Sequence, residues 1–63
     1  MNSYRYITRL IVKHPKQEYV YYVVYRPKQN NKYLKSFRKE KDAIEYLHKY
    51  ARENGINEFD LLK

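Results

Sequence analysis

The sequence predicts an α+β domain in which a three-stranded antiparallel sheet precedes one α-helix, in the order β-β-β-α. Three observations predict it. Residues 4–37 fall into three β-branched and aromatic runs separated by Pro- and Asn-containing breaks. From residue 39 the apolar spacing changes to a helical one. The charge divides at the same place: residues 1–39 hold ten Lys and Arg against the single acid Glu18, whereas residues 40–63 hold four basic and six acidic residues.

The first strand is expected over 4–13, YRYITRLIVK, where Tyr4, Tyr6, Thr8, Leu10 and Val12 alternate with Arg5, Ile7, Arg9, Ile11 and Lys13. His14-Pro15-Lys16-Gln17 ends it, because proline cannot donate to a ladder. The second strand, 18–26 (EYVYYVVYR), carries the strongest strand signal in the chain. In the loop from Pro27 to Asn31, Asn30 and Asn31 tolerate the positive φ of a tight connection. A third strand follows over 32–37, and short turns make the three a meander. The helix is expected over about 39–54, with Ala43, Ile44, Leu47 and Ala51 on its apolar stripe and Ser36 near its entry as a cap. Lys41 with Glu45 and Lys49 with Glu53 form i,i+4 pairs in the less favourable order. Gly55 is the expected stop. The tail 56–63 suggests a further turn capped by Asn57 and folded back over the helix–sheet seam.

Sixty-three residues make one small domain, and such a chain buries only about 60% of its unfolded surface. With no cysteine, neither disulfides nor thiolate metal sites can staple it. The apolar runs are too short for a membrane span, and the start MNSYRYITRL lacks the apolar core of a signal peptide. A cytoplasmic location is therefore expected. A single Gly argues against phosphate loops and dinucleotide fingerprints. His14 and His48 stand apart, and Asp42 with Glu45 is the one carboxylate pair at acid–base spacing on the helix. No Ser/His/Asp or Cys/His set is present. The chain is read as non-enzymatic, with no cofactor and no metal.

One helix covers one face of a three-stranded sheet. Alternation assigns Tyr6, Leu10, Val20, Tyr22, Val24, Leu34 and Phe37 to the covered core. The uncovered face then presents Arg5, Arg9 and Lys13, with Tyr19, Tyr21, Val23 and Tyr25, and with Tyr33 and Lys35. Ile7 and Ile11 also land there. A register slip of one residue inverts this assignment, and a bulge in the first strand brings the isoleucines inside.

The stretch from Tyr19 to Gly55 resembles the small DNA-binding domains of the plant AP2/ERF family and the amino-terminal arm-binding domains of tyrosine integrases. The strand EYVYYVVYR, the turn RPKQNN, the exit KYLKSF and the helix KEKDAIEYLHKYA carry the resemblance. Within them stand the pairs Tyr33-Leu34, Ser36-Phe37 and Asp42-Ala43. Arg5 and Arg9 look like the family's leading arginines, with spacing that differs by one. The chain departs from AP2 proper in having no Trp and no Gly before Ser36, and the family's sheet arginine falls at Tyr25, beside Arg26. The resemblance implies that the uncovered sheet enters the DNA major groove. It places Arg5, Arg9, Tyr25, Tyr33, Lys35 and Ser36 on the DNA.

A net charge of +7, concentrated in the strands, points independently to a polyanion. The expected DNA-binding set is Arg5, Arg9, Lys13, Tyr21, Tyr25, Arg26, Tyr33, Lys35, Ser36 and Arg38. The arginines would clamp phosphates or read guanine, and the tyrosines would donate to phosphates, stack on unpaired bases, or simply pack across strands. Duplex DNA is the favoured partner, in a phage or mobile-element regulator that would be nucleoid-associated. RNA or another single strand is a further possibility. The alternative is a protein-interaction module that places the same face on an acidic surface of a host protein. Free strand edges leave a weak homodimer open beside the monomer.

Overall fold

The computed structural model describes residues 4–62, so Lys63 of the predicted tail lies outside the described residues. Strands β1 (Ile7–Lys13), β2 (Glu18–Arg26) and β3 (Lys32–Phe37) form an antiparallel sheet in the order β1-β2-β3. Helix α1 (Glu40–Glu53) follows. Short 3₁₀ turns occupy Pro27–Gln29 and Glu58–Leu61. The β-β-β-α order read from the sequence is the order observed.

Local chemistry explains the boundaries. Asn30 and Asn31 both take positive φ, at 59° and 57°, and carry the chain from the 3₁₀ turn into β3. At the end of α1, Gly55 adopts φ 66° and the Ile56 amide donates to the Ala51 carbonyl at 2.8 Å. This is the left-handed stop that a glycine supplies without a Cβ penalty. Asn57 caps the last turn by accepting from the Phe59 amide at 2.9 Å. The helix entry differs from expectation. Its N-cap is Lys39, with no side-chain cap, and Ser36 instead meets the Tyr33 hydroxyl at 3.0 Å. Ser36 sits within β3, three residues too early to reach the first free helical amides.

The core consists of Tyr6, Ile7, Val24, Ala43, Leu47, Ala51 and Leu61. Tyr4, Tyr22, Leu34, Phe37, Ile44, Tyr46 and Ile56 pack against it. Alanines at 43 and 51 let the helix approach the sheet closely, and Leu47 between them is fully buried. The tail closes the open side of this core. Leu61 is fully buried, Arg5 donates its amide to the Leu61 carbonyl at 2.6 Å, and Tyr4 bridges to Leu62. Tyr4 also meets His48 edge-on, its hydroxyl 3.2 Å from Nε2, while His48 Nδ1 lies 3.5 Å from Glu58. Among the described residues neither helical Lys–Glu pair closes to salt-bridge distance.

Register corrects the predicted faces of β1. Residues directly opposite in an antiparallel pair share a face. Ile7 pairs with Val24, Arg9 with Tyr22, Ile11 with Val20 and Lys13 with Glu18. Val24 is buried under the helix, so Ile7, Arg9, Ile11 and Lys13 lie on the helix side. Thr8, Leu10 and Val12 lie on the uncovered side, and Leu10 is 50% exposed instead of buried. The cause is a break in alternation. Tyr6 and Ile7 are consecutive and both buried, because the chain turns at Arg5–Tyr6 and the strand begins at Ile7. Counting inward residues from Tyr6 therefore inverts the strand.

A second irregularity lies in β3. Val24 pairs with Lys35 and Tyr25 with Tyr33, which leaves Leu34 as the extra residue of a β-bulge. The bulge turns Leu34 toward the core and Tyr33 away from it.

Leu47→Ala, which deletes a fully buried side chain, is expected to lower unfolding free energy by about 2–5 kcal/mol in urea titration. An effect below about 1 kcal/mol would mean that this helix face is not the core. At Gly55 no atom lies within 4 Å of an added Cβ, so Gly55→Ala is expected to cost about 1–2 kcal/mol through backbone strain alone. A neutral Gly55→Ala in the same assay would show that the left-handed stop is not populated.

Candidate nucleic-acid interface

The uncovered face is built from alternate residues of all three strands. β1 contributes Thr8, Leu10 and Val12, and β2 contributes Tyr19, Tyr21, Val23 and Tyr25. β3 adds Tyr33 and Ser36, opposite Tyr25 and Val23. Arg38 follows one step past the Tyr22–Phe37 pair, and its guanidinium lies 5.0 Å from the Tyr19 ring centroid and 5.3 Å from that of Tyr21. These distances are within cation–π range, so the guanidinium rests against two rings. Tyr33 is 61% exposed, its hydroxyl beside the Ser36 hydroxyl.

Of the ten residues expected to bind DNA, five share this face: Tyr21, Tyr25, Tyr33, Ser36 and Arg38. The other cations are placed elsewhere. Arg9 and Lys13 project to the helix side of β1, beyond the reach of α1, where neighbouring Ile11 is 42% exposed. Lys35 lies over the rings of Phe37 and Tyr46, at 5.4 and 5.8 Å, on the rim of the covered face. Arg5 is exposed in the turn that precedes β1, next to the tail.

Arg26 has a packing role instead. Its guanidinium lies 5.8 Å from the Tyr6 ring and 5.7 Å from the Tyr50 ring, and Nη1 donates to the Tyr50 hydroxyl at 2.9 Å. Its buried Nε has no hydrogen-bond partner among the described residues. The sequence places Arg26 at the end of β2 in phase with Val24, which was the available sign that it faces the helix.

The partnership of Arg38 with Tyr19 and Tyr21 was missed as a unit. Its signal was the Tyr-x-Tyr spacing in β2, which stacks two rings on one face, next to a cation leaving the neighbouring strand.

Grooves near the face gather at the β1–β2 turn, one of them of about 390 Å³ lined by His14, Pro15, Lys16, Gln17 and Tyr19. There the His14 and Tyr19 rings meet edge-on and Tyr19 donates its hydroxyl to Gln17. Among the described residues no group of three or more His, Cys, Asp or Glu side chains could hold a metal ion. Among them, too, no helix is long and apolar enough to cross a membrane. Compared with protein-family models, curated proteins and solved structures, the chain matches none.

Arg26→Ala removes two ring contacts and a charged hydrogen bond, and is expected to lower stability by about 1–3 kcal/mol. Arg38→Ala, on the exposed face, is expected to stay within about 1 kcal/mol of the parent. Parallel thermal melts check both; equal losses would contradict the assignment of the two arginines to different faces.

Proposed function

We propose that this protein is a non-enzymatic nucleic-acid-binding module whose uncovered sheet face meets its target. The observation that carries the reading is the composition of that face. Four tyrosines and the guanidinium of Arg38 lie on it, in a chain whose strand half has ten basic residues against one acid. Phosphates attract the cations, and each neutralised phosphate releases a counterion. Lys16 lies in the β1–β2 turn and Arg9, Lys13 and Lys35 on the opposite side of the sheet, so they add a general attraction to polyanions without fixing a base sequence. The β-β-β-α order with a bare sheet also accords with the resemblance to AP2/ERF and integrase arm-binding domains, in which duplex DNA lies on this face.

One observation favours a second reading. Leu10 and Val12 on the edge strand β1 and Val23 on the central β2 share the same face, and an aromatic–aliphatic patch with an arginine is a common protein-interface composition. In that reading the partner is an acidic protein surface.

A salt titration separates the two. Nucleic-acid binding is expected to weaken with a log–log slope between about −2 and −4, as for three or four neutralised phosphates. Arg38→Ala is expected to weaken it about tenfold. Absence of affinity for duplex, single-stranded DNA and RNA at low salt, with a stoichiometric protein partner that survives nuclease treatment, would replace the proposal with the second reading.

A further inference from the structure

The register that removes Arg9 and Lys13 from the uncovered face also changes what that face can read. Within a duplex, bases present edges, and edge recognition uses Arg, Lys, Asn, Gln, Asp or Glu in a groove. Among the described residues assigned to this face, Arg38 is the side chain of those types; the remainder are Tyr, Thr, Ser and aliphatic residues. Phenol rings recognise a different feature, the flat π-surface that a base exposes once it leaves its stack.

Resting on the nucleic-acid reading above, we infer that the target is an unpaired nucleic-acid strand whose bases stack on the tyrosines of the open face. Tyr25 and Tyr33 sit directly opposite one another on β2 and β3, next to the bulge at Leu34. Tyr33 is well exposed. Tyr19 and Tyr21 lie two residues apart on β2, about 7 Å along the strand, and carry the Arg38 guanidinium above them. That guanidinium is itself a stacking plane and retains donors for a phosphate or a base edge. The face thus offers two stacking stations, one of phenols and one capped by a guanidinium, with Val23 between them on β2. Lys16, exposed in the β1–β2 turn beyond Tyr19, and the exposed Arg38 are the cations nearest a strand lying across this face. Ribose and deoxyribose strands share this chemistry; the Ser36 and Tyr33 hydroxyls, 3.0 Å apart, are the groups placed to sense a 2′-hydroxyl.

The test uses the whole chain and three labelled probes of equal length: oligo-dT, oligo-rU and a mixed-sequence duplex. Affinities are read by anisotropy at one salt concentration. Quenching of the intrinsic tyrosine emission is followed in parallel, since the protein has nine Tyr and no Trp. The single strands are expected to bind at least tenfold tighter than the duplex and to quench the emission. Tyr33→Ala is expected to weaken single-strand binding about 5- to 100-fold, whereas Tyr33→Phe, which keeps the ring and loses the hydroxyl, retains most of it. Tyr25→Phe serves as the folding-safe partner variant, and circular dichroism verifies each fold. Duplex binding equal to or tighter than single-strand binding, or a Tyr33→Phe loss as large as that of Tyr33→Ala, overturns the inference while leaving nucleic-acid binding standing. No binding to any of the three probes overturns the nucleic-acid reading itself. A dT-over-rU or rU-over-dT preference above about tenfold supports the inference and identifies which strand is the target.

Discussion

The pairing of Ile7 with Val24 governs the molecule. Val24 is fully buried in the core that Ala43, Leu47 and Ala51 of the helix complete. Once Ile7 lies opposite it, the period-two geometry of a strand leaves no freedom for the rest of β1. Arg9 and Lys13 must follow Ile7 to the helix side, and Leu10 must emerge among the tyrosines. The character of the bare face therefore follows from a single apolar pair at the far end of the sheet. Burial of those two side chains is worth more than the exposure of Leu10 costs, because both are almost completely removed from water whereas Leu10 keeps half of its surface wet.

Much of the architecture was legible. β2, β3, both turns, the helix and its glycine stop are written in local chemistry: aromatic and β-branched runs, asparagines that accept positive φ, and one glycine where a left-handed residue is needed. The faces of β2 followed from alternation around Val24. Those of β1 did not, because Tyr6 and Ile7 are both inward, and a two-residue break in a period-two pattern has no compositional marker. The bulge at Leu34 is similarly silent, since Tyr33, Leu34 and Lys35 read as ordinary alternation. Of the candidate site, Tyr21, Tyr25, Tyr33 and Ser36 could be placed, whereas Arg9 and Lys13 of β1, Arg26 at the end of β2 and Lys35 beside the bulge could not.

The two arginines nearest the aromatic residues show how context divides one chemistry into two roles. Arg26 lies between Tyr6 and Tyr50 on the covered side, where it bonds the helix to the end of β2. Arg38 lies over Tyr19 and Tyr21 on the bare side, with its outward surface free of the helix. Planarity and weak hydration suit a guanidinium to both tasks. In the first, two rings flank the cation and Nη1 donates within the fold. In the second, the guanidinium rests against two rings while it remains available to a ligand, so binding there costs less side-chain ordering than a free arginine would.

The seam between Tyr4–Arg5 and Leu61–Leu62 has a temporal consequence. Leu61 fills the core beside Ile7, although 54 positions of chain separate them. During synthesis the sheet and helix emerge before the side chain that seals them. A chain in which Leu61 has not yet docked leaves Ile7 and Leu47 incompletely covered. Completion of this domain thus waits for its closing segment to return to the first strand, and contacts between distant parts of the chain set its pace.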